Sequence, residues 1–592
     1  MQPTQPITHL LSRLWHHISP RRRGQFGLLL ILMILASFAE ILSIGAVLPF
    51  LAVLTAPDRV FEHLAVQSFI KTLGLTGPEQ LLLPLTIVFG LGALMAGAMR
   101  LLLLWASTRL SFATGADLSI SIYRRTLYQP YAIHVARNSS EVINGISGKA
   151  NGVIYNIIVP ALTLFSASVM LSAILIALLS VDPVIALAAF GGFGLIYAFI
   201  IRLTRNRLMV DSQRIAREST QVIKSLQEGL GGIRDVLIDG SQTTYCQIYR
   251  NADHPLRRAQ GNNLFISQSP RYVMEALGMV LIAALAYALA QQSDGIAKAI
   301  PVLGALALGA QRLLPVLQHA YGAWSTIQGG QASLQDTLEL LDQQLPDYAD
   351  QPAAKPLSFR QQIRLKQLSF RYSPQTPWVL KKLDFTIAKG SRVGFIGTTG
   401  SGKSTLLDIV MALLSPTEGT LEIDGQPITM ANHRAWQAHF AHVPQAIFLA
   451  DSTIEENIAF GVPNDQIELE RVRQAARQAQ IADIIETWPK QYQTFVGERG
   501  IRLSGGQRQR IGIARALYKQ ADIIIFDEAT SALDNETEQA VMQAIEGLNE
   551  DLTILMIAHR LTTLKNCTQI VELADGCIKR IGTYQDIVNQ ST

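Results

Sequence analysis

GFIGTTGSGKSTLLDIV, the stretch from Gly394 to Val410, decides the fold of the second half of the chain. It fits the pattern G-x-x-x-x-G-K-[ST], and it follows a predicted strand and opens a predicted helix. The backbone N–H groups of such a loop and the positive end of the new helix bind phosphates. The sequence therefore predicts a phosphate site formed by Gly397, Thr398, Thr399, Gly400, Ser401, Gly402, Lys403, Ser404 and Thr405.

Two side chains of this loop have predicted roles of their own. We expect the ammonium group of Lys403 to reach the β- and γ-phosphates, and the hydroxyl of Ser404 to bind Mg²⁺. So short a pattern can arise by chance, but its place between a strand and a helix favours a functional loop.

A second motif, ADIIIFDEATSALD, runs from Ala521 to Asp534 and predicts a buried strand that ends in two acids. We expect Asp527 to bind the magnesium ion and Glu528 to polarise the attacking water. Neighbouring side chains of a strand normally point apart, but at its end the two can diverge slightly and serve one site. The alternative, a pair of surface acids, is disfavoured by the apolar residues before them.

Between these motifs lies LSGGQRQR, Leu503 to Arg510. LSGGQ is the signature of the ATP-binding cassette (ABC) family, and the whole chain resembles that family. Further sequence motifs of the family occur on both sides of the signature, in the family's order. They are Tyr372, Gln445, Val496–Gly500, Ser531–Asp534 and His559. The resemblance implies that the cofactors are ATP and Mg²⁺.

The resemblance also assigns roles to single residues. It implies that Tyr372 stacks on adenine, that Gln445 links Mg²⁺ to the membrane domain, and that His559 contacts the γ-phosphate. Glu528, His559 and Gln445 are then the predicted catalytic residues. Taken alone, Tyr372 is an ordinary strand residue and His559 an ordinary hydrogen-bonded histidine.

In that family the signature completes the ATP site of the opposite subunit. The resemblance therefore implies a homodimer with two equivalent sites, each closed by the partner's copy of Ser504, Gly505, Gly506 and Gln507.

The composition predicts a membrane protein. Hydrophobic residues make up 49% of the 592 residues and charged residues 16%, against the usual quarter. A net charge of +4 is too small to indicate nucleic acid as a partner. Three scattered cysteines argue against a disulfide or zinc framework, and the N-terminus is expected to be a cytosolic lead-in without a signal peptide.

The hydropathy pattern predicts an α-helical transmembrane domain of the exporter type with six spans, fused to an α/β P-loop nucleotide-binding domain. Arginines crowd the loops on one side, which predicts a multi-pass protein of the plasma (inner) membrane with both termini in the cytoplasm. The predicted domains are 1–342 and 361–592, with a linker at 343–360. The predicted spans are Gly24–Leu51, Leu81–Trp105, Val153–Leu179, Val184–Ile201, Tyr272–Ala290 and Ile296–Ala320.

Three segments outside the spans also carry a pattern. The stretches 106–152 and 202–271 are too long for structureless loops, so we expect helices that extend the spans into the cytosol, with flexible linkers as the alternative. Arg59–Leu75 has one apolar stripe. That segment fits a helix on the outer membrane surface or a loop helix packed on its own spans.

Beyond the cassette, the spans resemble those of flippases for lipid-linked oligosaccharides. The resemblance is carried by SFAEILSIGAVLPFLAVLT (37–55), SPRYVMEALG (269–278) and QRLLPV (311–316). Counting along the helices puts Arg100, Arg271 and Arg312 at a similar depth. A ring of these arginines would suit a pyrophosphate. Snorkelling to water and pairing with Glu40 or Glu275 are the alternatives.

The sequence thus predicts an ATP-driven exporter or flippase, an ATP hydrolase coupled to transport. The predicted cargo is a polyprenyl-pyrophosphate-linked oligosaccharide, moved from the inner to the outer leaflet among membrane lipids. The alternatives are a multidrug or lipid exporter with a lipid A-like cargo, and an ATP-gated channel or regulator.

Overall fold

The computed structural model describes residues 5–45, 58, 61, 77–181, 183–290, 295–352, 354–528, 533–546, 551–558 and 561–589. Contacts divide the chain into two units, one of Met1–Gln129 with Arg137–Pro346 and one of Pro130–Ala136 with Asp347–Thr592. His559 lies outside the described residues, as does the segment Arg59–Leu75 apart from Phe61, for which a surface helix and a packed loop helix were both predicted.

The first unit is built from long helices. Two of them, α2 and α8, begin at Pro20 and Pro183, where a missing N–H leaves no donor unpaired in the first turn. In chain order the helices are α1 (Ile7–His17), α2 (Pro20–Gly45), α3 (Leu82–Leu127), α5 (Ser139–Ile143), α6 (Ala150–Val153), α7 (Val159–Val181), α8 (Pro183–Gly231), α9 (Ile233–Ile238), α10 (Gln242–Ala290) and α11 (Gly295–Leu341). Helix α4 (Tyr131–Ala136) belongs to the second unit.

Three segments of the described residues are long and apolar enough to cross a membrane. They are Pro20–Glu40, Leu82–Leu127 and Ser139–Ile176. Two π-helical turns, Asn144–Lys149 and Ile154–Ile158, interrupt the third segment. The other three predicted spans fall within α8, α10 and α11, and the count of six remains a prediction.

The stretches predicted to extend the spans are mostly helical, with breaks at 128–130, 137–138, 232 and 239–241. Helix α3 runs from its predicted span to Leu127, α8 runs on to Gly231, and α10 begins at Gln242. A buried cluster formed by α1, α2, α3 and α11, including Leu10, Met33, Ile122 and Leu334, packs this part of the unit together.

The second unit is an α/β domain with two sheets. A four-stranded antiparallel sheet has the order β2-β1-β4-β5, and a six-stranded sheet has the order β10-β9-β3-β8-β7-β6. The strands are β1 (Gln362–Phe370), β2 (Leu380–Ala388), β3 (Arg392–Ile396), β4 (Glu418–Ile423), β5 (Gln426–Pro427), β6 (Phe440–Val443), β7 (Ile523–Asp527), β8 (Thr553–Ile557), β9 (Gln569–Ala574) and β10 (Cys577–Gly582).

Helices alternate with the strands of this unit. They are α12 (Lys403–Val410), α13 (His433–Gln437), α14 (Ile454–Ile458), α15 (Leu469–Gln478), α16 (Ala482–Thr487), α17 (Gly505–Lys519), α18 (Asn535–Glu546) and α19 (Tyr584–Asn589). Along β7, Ile523 and Ile525 enter one core cluster while Ile524 and Phe526 enter the other. Burial on both faces explains why this strand is apolar without interruption.

The register of the parallel strands positions the site. Strand β8 lies between β3 and β7, and its Ile557 pairs with Phe395 on one side and with Asp527 on the other. The loop that follows β3 and the acids that end β7 therefore emerge at the same edge of the sheet, where ligands of such sheets bind.

Candidate functional site

The phosphate loop depends on three glycines with positive φ. Gly397, Gly400 and Gly402 have φ values of +147°, +84° and +97°. A Cβ atom on Gly397 would lie 2.2 Å from the carbonyl oxygen of Leu573, and one on Gly402 would lie 2.6 Å from Leu380. Two of the glycines are thus required by space as well as by conformation.

Lys403 begins helix α12 and lies inside the loop. Its side chain is only 8% exposed, and Nζ donates to the carbonyl oxygens of Gly397 (2.8 Å) and Thr398 (3.0 Å). These bonds hold the cation at the helix N-terminus, where the peptide dipoles also favour an anion.

Asp527 and Ser404 come together as the metal prediction requires. Burial raises the pKa of Asp527, as does the nearby carboxylate of Glu528, while a hydrogen bond with Ser404 and the charge of Lys403 act in the opposite direction. A hard divalent cation suits a partly desolvated carboxylate beside a hydroxyl. Among the described residues no three His, Cys, Asp or Glu side chains cluster as a metal cage.

Glu528 owes its position to an unusual backbone conformation. Its φ is +51°, and its N–H still donates to Ile557 O at 3.1 Å. This left-handed residue ends the alternation of strand β7. Gln445 Nε2 donates to Glu528 Oε2 at 2.6 Å, so two predicted catalytic side chains are in direct contact.

Two residues beside this site were not predicted. Gln509, on α17, is 4% exposed and donates through Nε2 to the carbonyl oxygen of Glu528 at 3.5 Å. Asp408, on α12, has a pKa raised to about 6, first by burial and then by Asp527. Its spacing of four residues from Ser404 places both on one helix face, and that spacing could have indicated it.

Tyr372 lies beside the phosphate helix with its ring accessible. The side chain is 51% exposed, its hydroxyl lies 3.2 Å from Thr405 Oγ1, and its ring contacts Phe370 edge to face. An exposed ring at this position is available for stacking.

The signature forms the start of helix α17. Ser504 is the N-cap: its Oγ accepts from Gln507 N at 3.2 Å, and Gln507 Oε1 accepts from Ser504 N at 2.9 Å. This capping box leaves Ser504 and Gly505 exposed to solvent. The signature thus presents an accessible helix N-terminus, a surface suited to phosphate.

The three arginines predicted to bind the cargo, Arg100, Arg271 and Arg312, differ in their surroundings. Arg100 forms an ion pair with Glu40, and Arg271 Nε lies 2.9 Å from Glu275 Oε1. Arg312 lies on α11, and its side chain is outside the described residues. The pairing alternative left open by the sequence is therefore observed for two of the three arginines.

Arg271 also borders a cavity within the helical unit. Its volume is about 450 Å³, and its polar lining residues include Tyr197, Gln268, Arg271, Gln318 and His319. The hydroxyl of the buried Tyr197 has no hydrogen-bond partner among the described residues.

Comparisons with known proteins identify the family of the chain. The family model described as ABC transporter matches residues 380–531. An ATP-dependent lipid A-core flippase of Alkalilimnicola ehrlichii is 31% identical over 68% of this chain and 67% of its own length. Another protein of that name, from Cupriavidus metallidurans, is 27% identical over all of this chain and 96% of its own.

A solved structure shows a similar fold. The structure of a bacterial Atm1-family ABC exporter with ATP bound matches with a TM-score of 0.77 and 25% identity, over 94% of this chain and 96% of that one. The chain therefore belongs to the ABC transporter family, as an exporter-type half-transporter that couples ATP hydrolysis to transport.

Proposed function

We propose that this chain forms a homodimeric exporter that moves a lipid A-like, phosphate-bearing lipid across the inner membrane. The observation that carries the proposal is the similarity to a lipid A-core flippase along the whole chain, membrane helices included. The comparisons thus favour the alternative of a lipid exporter over the predicted oligosaccharide flippase.

The charges of the helical unit support the same choice. A ring of free guanidinium groups was the argument for a pyrophosphate-linked glycan, but Arg100 and Arg271 are each paired with a carboxylate. Arg271 still borders the polar cavity beside Gln268 and His319. An amphipathic lipid with phosphate and sugar groups matches such a mixed lining.

The residues of the nucleotide-binding unit would have separate roles in ATP hydrolysis. The phosphate loop and Lys403 would hold the β- and γ-phosphates, and Ser404 and Asp527 would hold Mg²⁺, which supplies charge neutralisation when bound. Glu528 would accept a proton from the attacking water, and Gln445 holds its carboxylate in place through the 2.6 Å hydrogen bond.

The exposed signature supports the homodimer that the family resemblance implies. Ser504, Gly505, Gly506 and Gln507 form an accessible helix N-terminus, which would cover the ATP bound by a second copy. His559 would contact the γ-phosphate and Tyr372 the adenine, as the family resemblance implies. Both termini would lie in the cytoplasm, with six spans in each copy.

The experiment is ATPase stimulation of the purified protein in liposomes. We would compare a lipid A-type lipid, a polyprenyl-pyrophosphate-linked glycan, an amphipathic drug and no addition. We expect vanadate-sensitive hydrolysis that only the lipid A-type lipid stimulates severalfold. Stimulation by the glycan alone would support an oligosaccharide flippase instead. Nucleotide binding without turnover would indicate a channel or regulator.

A further inference from the structure

A groove of about 700 Å³ lies between helices α2 and α3 of the helical unit. We propose that this groove, bounded by Arg22, Gln25, Leu28, Leu32, Trp105 and Arg109, binds an anionic phospholipid of the cytoplasmic leaflet. It is a site for a resident membrane lipid, separate from the proposed cargo cavity.

One wall of the groove is apolar and accessible. Leu28 is 69% exposed and Trp105 is 61% exposed, and Leu29, Leu32 and Phe112 continue the same lining. A soluble surface rarely leaves such a continuous apolar patch. Both helices carry membrane-length apolar segments, so acyl chains are the expected cover, with the indole of Trp105 suited to the interface.

The other part of the groove carries positive charge. Arg22 Nε lies 2.8 Å from Asp117 Oδ2, so that cation is balanced. Arg109 is exposed and has no hydrogen bond or ion pair within the described part of the chain. Its neighbours one turn away on α3, Trp105, Ala106, Phe112 and Ala113, offer no carboxylate. The groove therefore keeps a net positive charge, which complements a phosphodiester.

The ion pair between Arg22 and Asp117 also fixes how far along the groove Arg109 lies from that pair. The two helices run in opposite directions, and eight residues of α3 separate Asp117 from Arg109, or about 12 Å at ~1.5 Å per residue. Gln25 lines the groove beside Arg22, and its Oε1 accepts from Arg22 Nη1 at 3.0 Å. A headgroup held between Arg109 and Gln25 would leave its acyl chains along Leu32 and Trp105.

Arg109 differs in this respect from the arginines predicted to bind cargo. Arg100 and Arg271 are each neutralised by a glutamate, whereas Arg109 faces an open groove. A guanidinium can bind a phosphate through two parallel hydrogen bonds, which an ammonium cannot reproduce. Basic pockets between membrane helices on the cytoplasmic side suit anionic headgroups.

The test measures lipid retention by the full-length protein. Protein in nanodiscs of phosphatidylcholine, with or without phosphatidylglycerol, would be examined by native mass spectrometry for bound lipid. We expect Arg109→Gln to weaken phosphatidylglycerol binding about tenfold, the loss of one charged hydrogen-bonding group. Arg109→Lys should restore it only in part, and phosphatidylcholine binding should not change.

Arg202→Gln is the matched control, since Arg202 is also an exposed arginine at the end of a predicted span but does not line the groove. ATPase activity in phosphatidylcholine alone checks that each variant is folded. Equal weakening by Arg202→Gln, full rescue by lysine, or no effect of Arg109→Gln would overturn the proposal. Disulfide cross-linking of Leu28→Cys between two copies would show that a second chain covers the groove, and would also overturn it.

Discussion

The nucleotide unit and the helical unit treat their charged side chains differently. In the nucleotide unit, the backbone places Lys403, Asp527 and Glu528 at the carboxyl ends of parallel strands, where each charge has a predicted chemical role. In the helical unit, Arg100 and Arg271 are paired with carboxylates of their own unit. A charge in an apolar segment is costly, so a partner within the protein can balance it and leave it unavailable to a ligand.

The largest expected effect is in the nucleotide unit. Glu528→Gln keeps the hydrogen-bonding shape but removes the proposed general base, so turnover should fall about 10²- to 10⁴-fold while ATP binding persists. Steady-state ATPase activity and nucleotide binding would be measured on the same preparation. Glu470→Gln, at an exposed surface pair, is the control and should leave both unchanged. Turnover within threefold of the parent would remove Glu528 from its role.

A smaller effect is expected at the residue that holds Glu528. Gln445→Ala removes the 2.6 Å hydrogen bond to the carboxylate and should lower turnover about tenfold, the scale of one charged hydrogen bond. Combining it with Glu528→Gln tests the contact. If Gln445 acts through Glu528, the double variant should be no slower than Glu528→Gln alone, whereas additive losses would separate the two residues.

In the helical unit, the expected effects concern the ion pair between Arg100 and Glu40. Arg100→Ala should impair folding or transport because it leaves Glu40 unpaired in an apolar segment, and the exchange Arg100→Glu with Glu40→Arg should restore most of the loss. Lipid transport at matched protein levels is the measurement. If the exchanged pair does not restore transport while Arg100→Lys restores it in part, the result would support binding of the cargo by Arg100 instead.

The smallest effect is a pH dependence of stability. The pKa of Asp408 is raised to about 6 from 3.8, so the ionised carboxylate destabilises the fold above that pH, and the cost is lost as the pH falls towards the ordinary value. Asp408→Asn should stabilise the nucleotide-free protein at neutral pH by about 1 kcal/mol, reduced from the full shift by partial exposure. Thermal unfolding should show the difference vanish near pH 4. A difference that does not depend on pH would contradict this account.

The fold of the nucleotide unit could be predicted from the sequence because short-range residue patterns determine it. The phosphate loop needs glycine where φ is positive, and the apolar run of β7 requires burial on both faces, so both are visible in the residues alone. The φ of +51° at Glu528 was not predictable, because a glutamate does not favour that conformation.

The helical unit was less predictable for a physical reason. Arg271 and Glu275 are four residues apart, so helical spacing alone could have paired them. Arg100 and Glu40 lie sixty positions apart on different helices, and only the packing of α2 against α3 brings them together. That Arg109 has no partner among the described residues likewise depends on which side chains surround it in space.

Transport in proteoliposomes shows whether this protein is a lipid exporter. A fluorescent lipid A-type lipid would be followed from the leaflet on the cassette side to the opposite leaflet, with Glu528→Gln as the matched inactive protein. We predict ATP-dependent movement by the parent and none by the variant. Rapid ATP hydrolysis without movement of this lipid, together with movement of a polyprenyl-pyrophosphate-linked glycan, would contradict the lipid exporter.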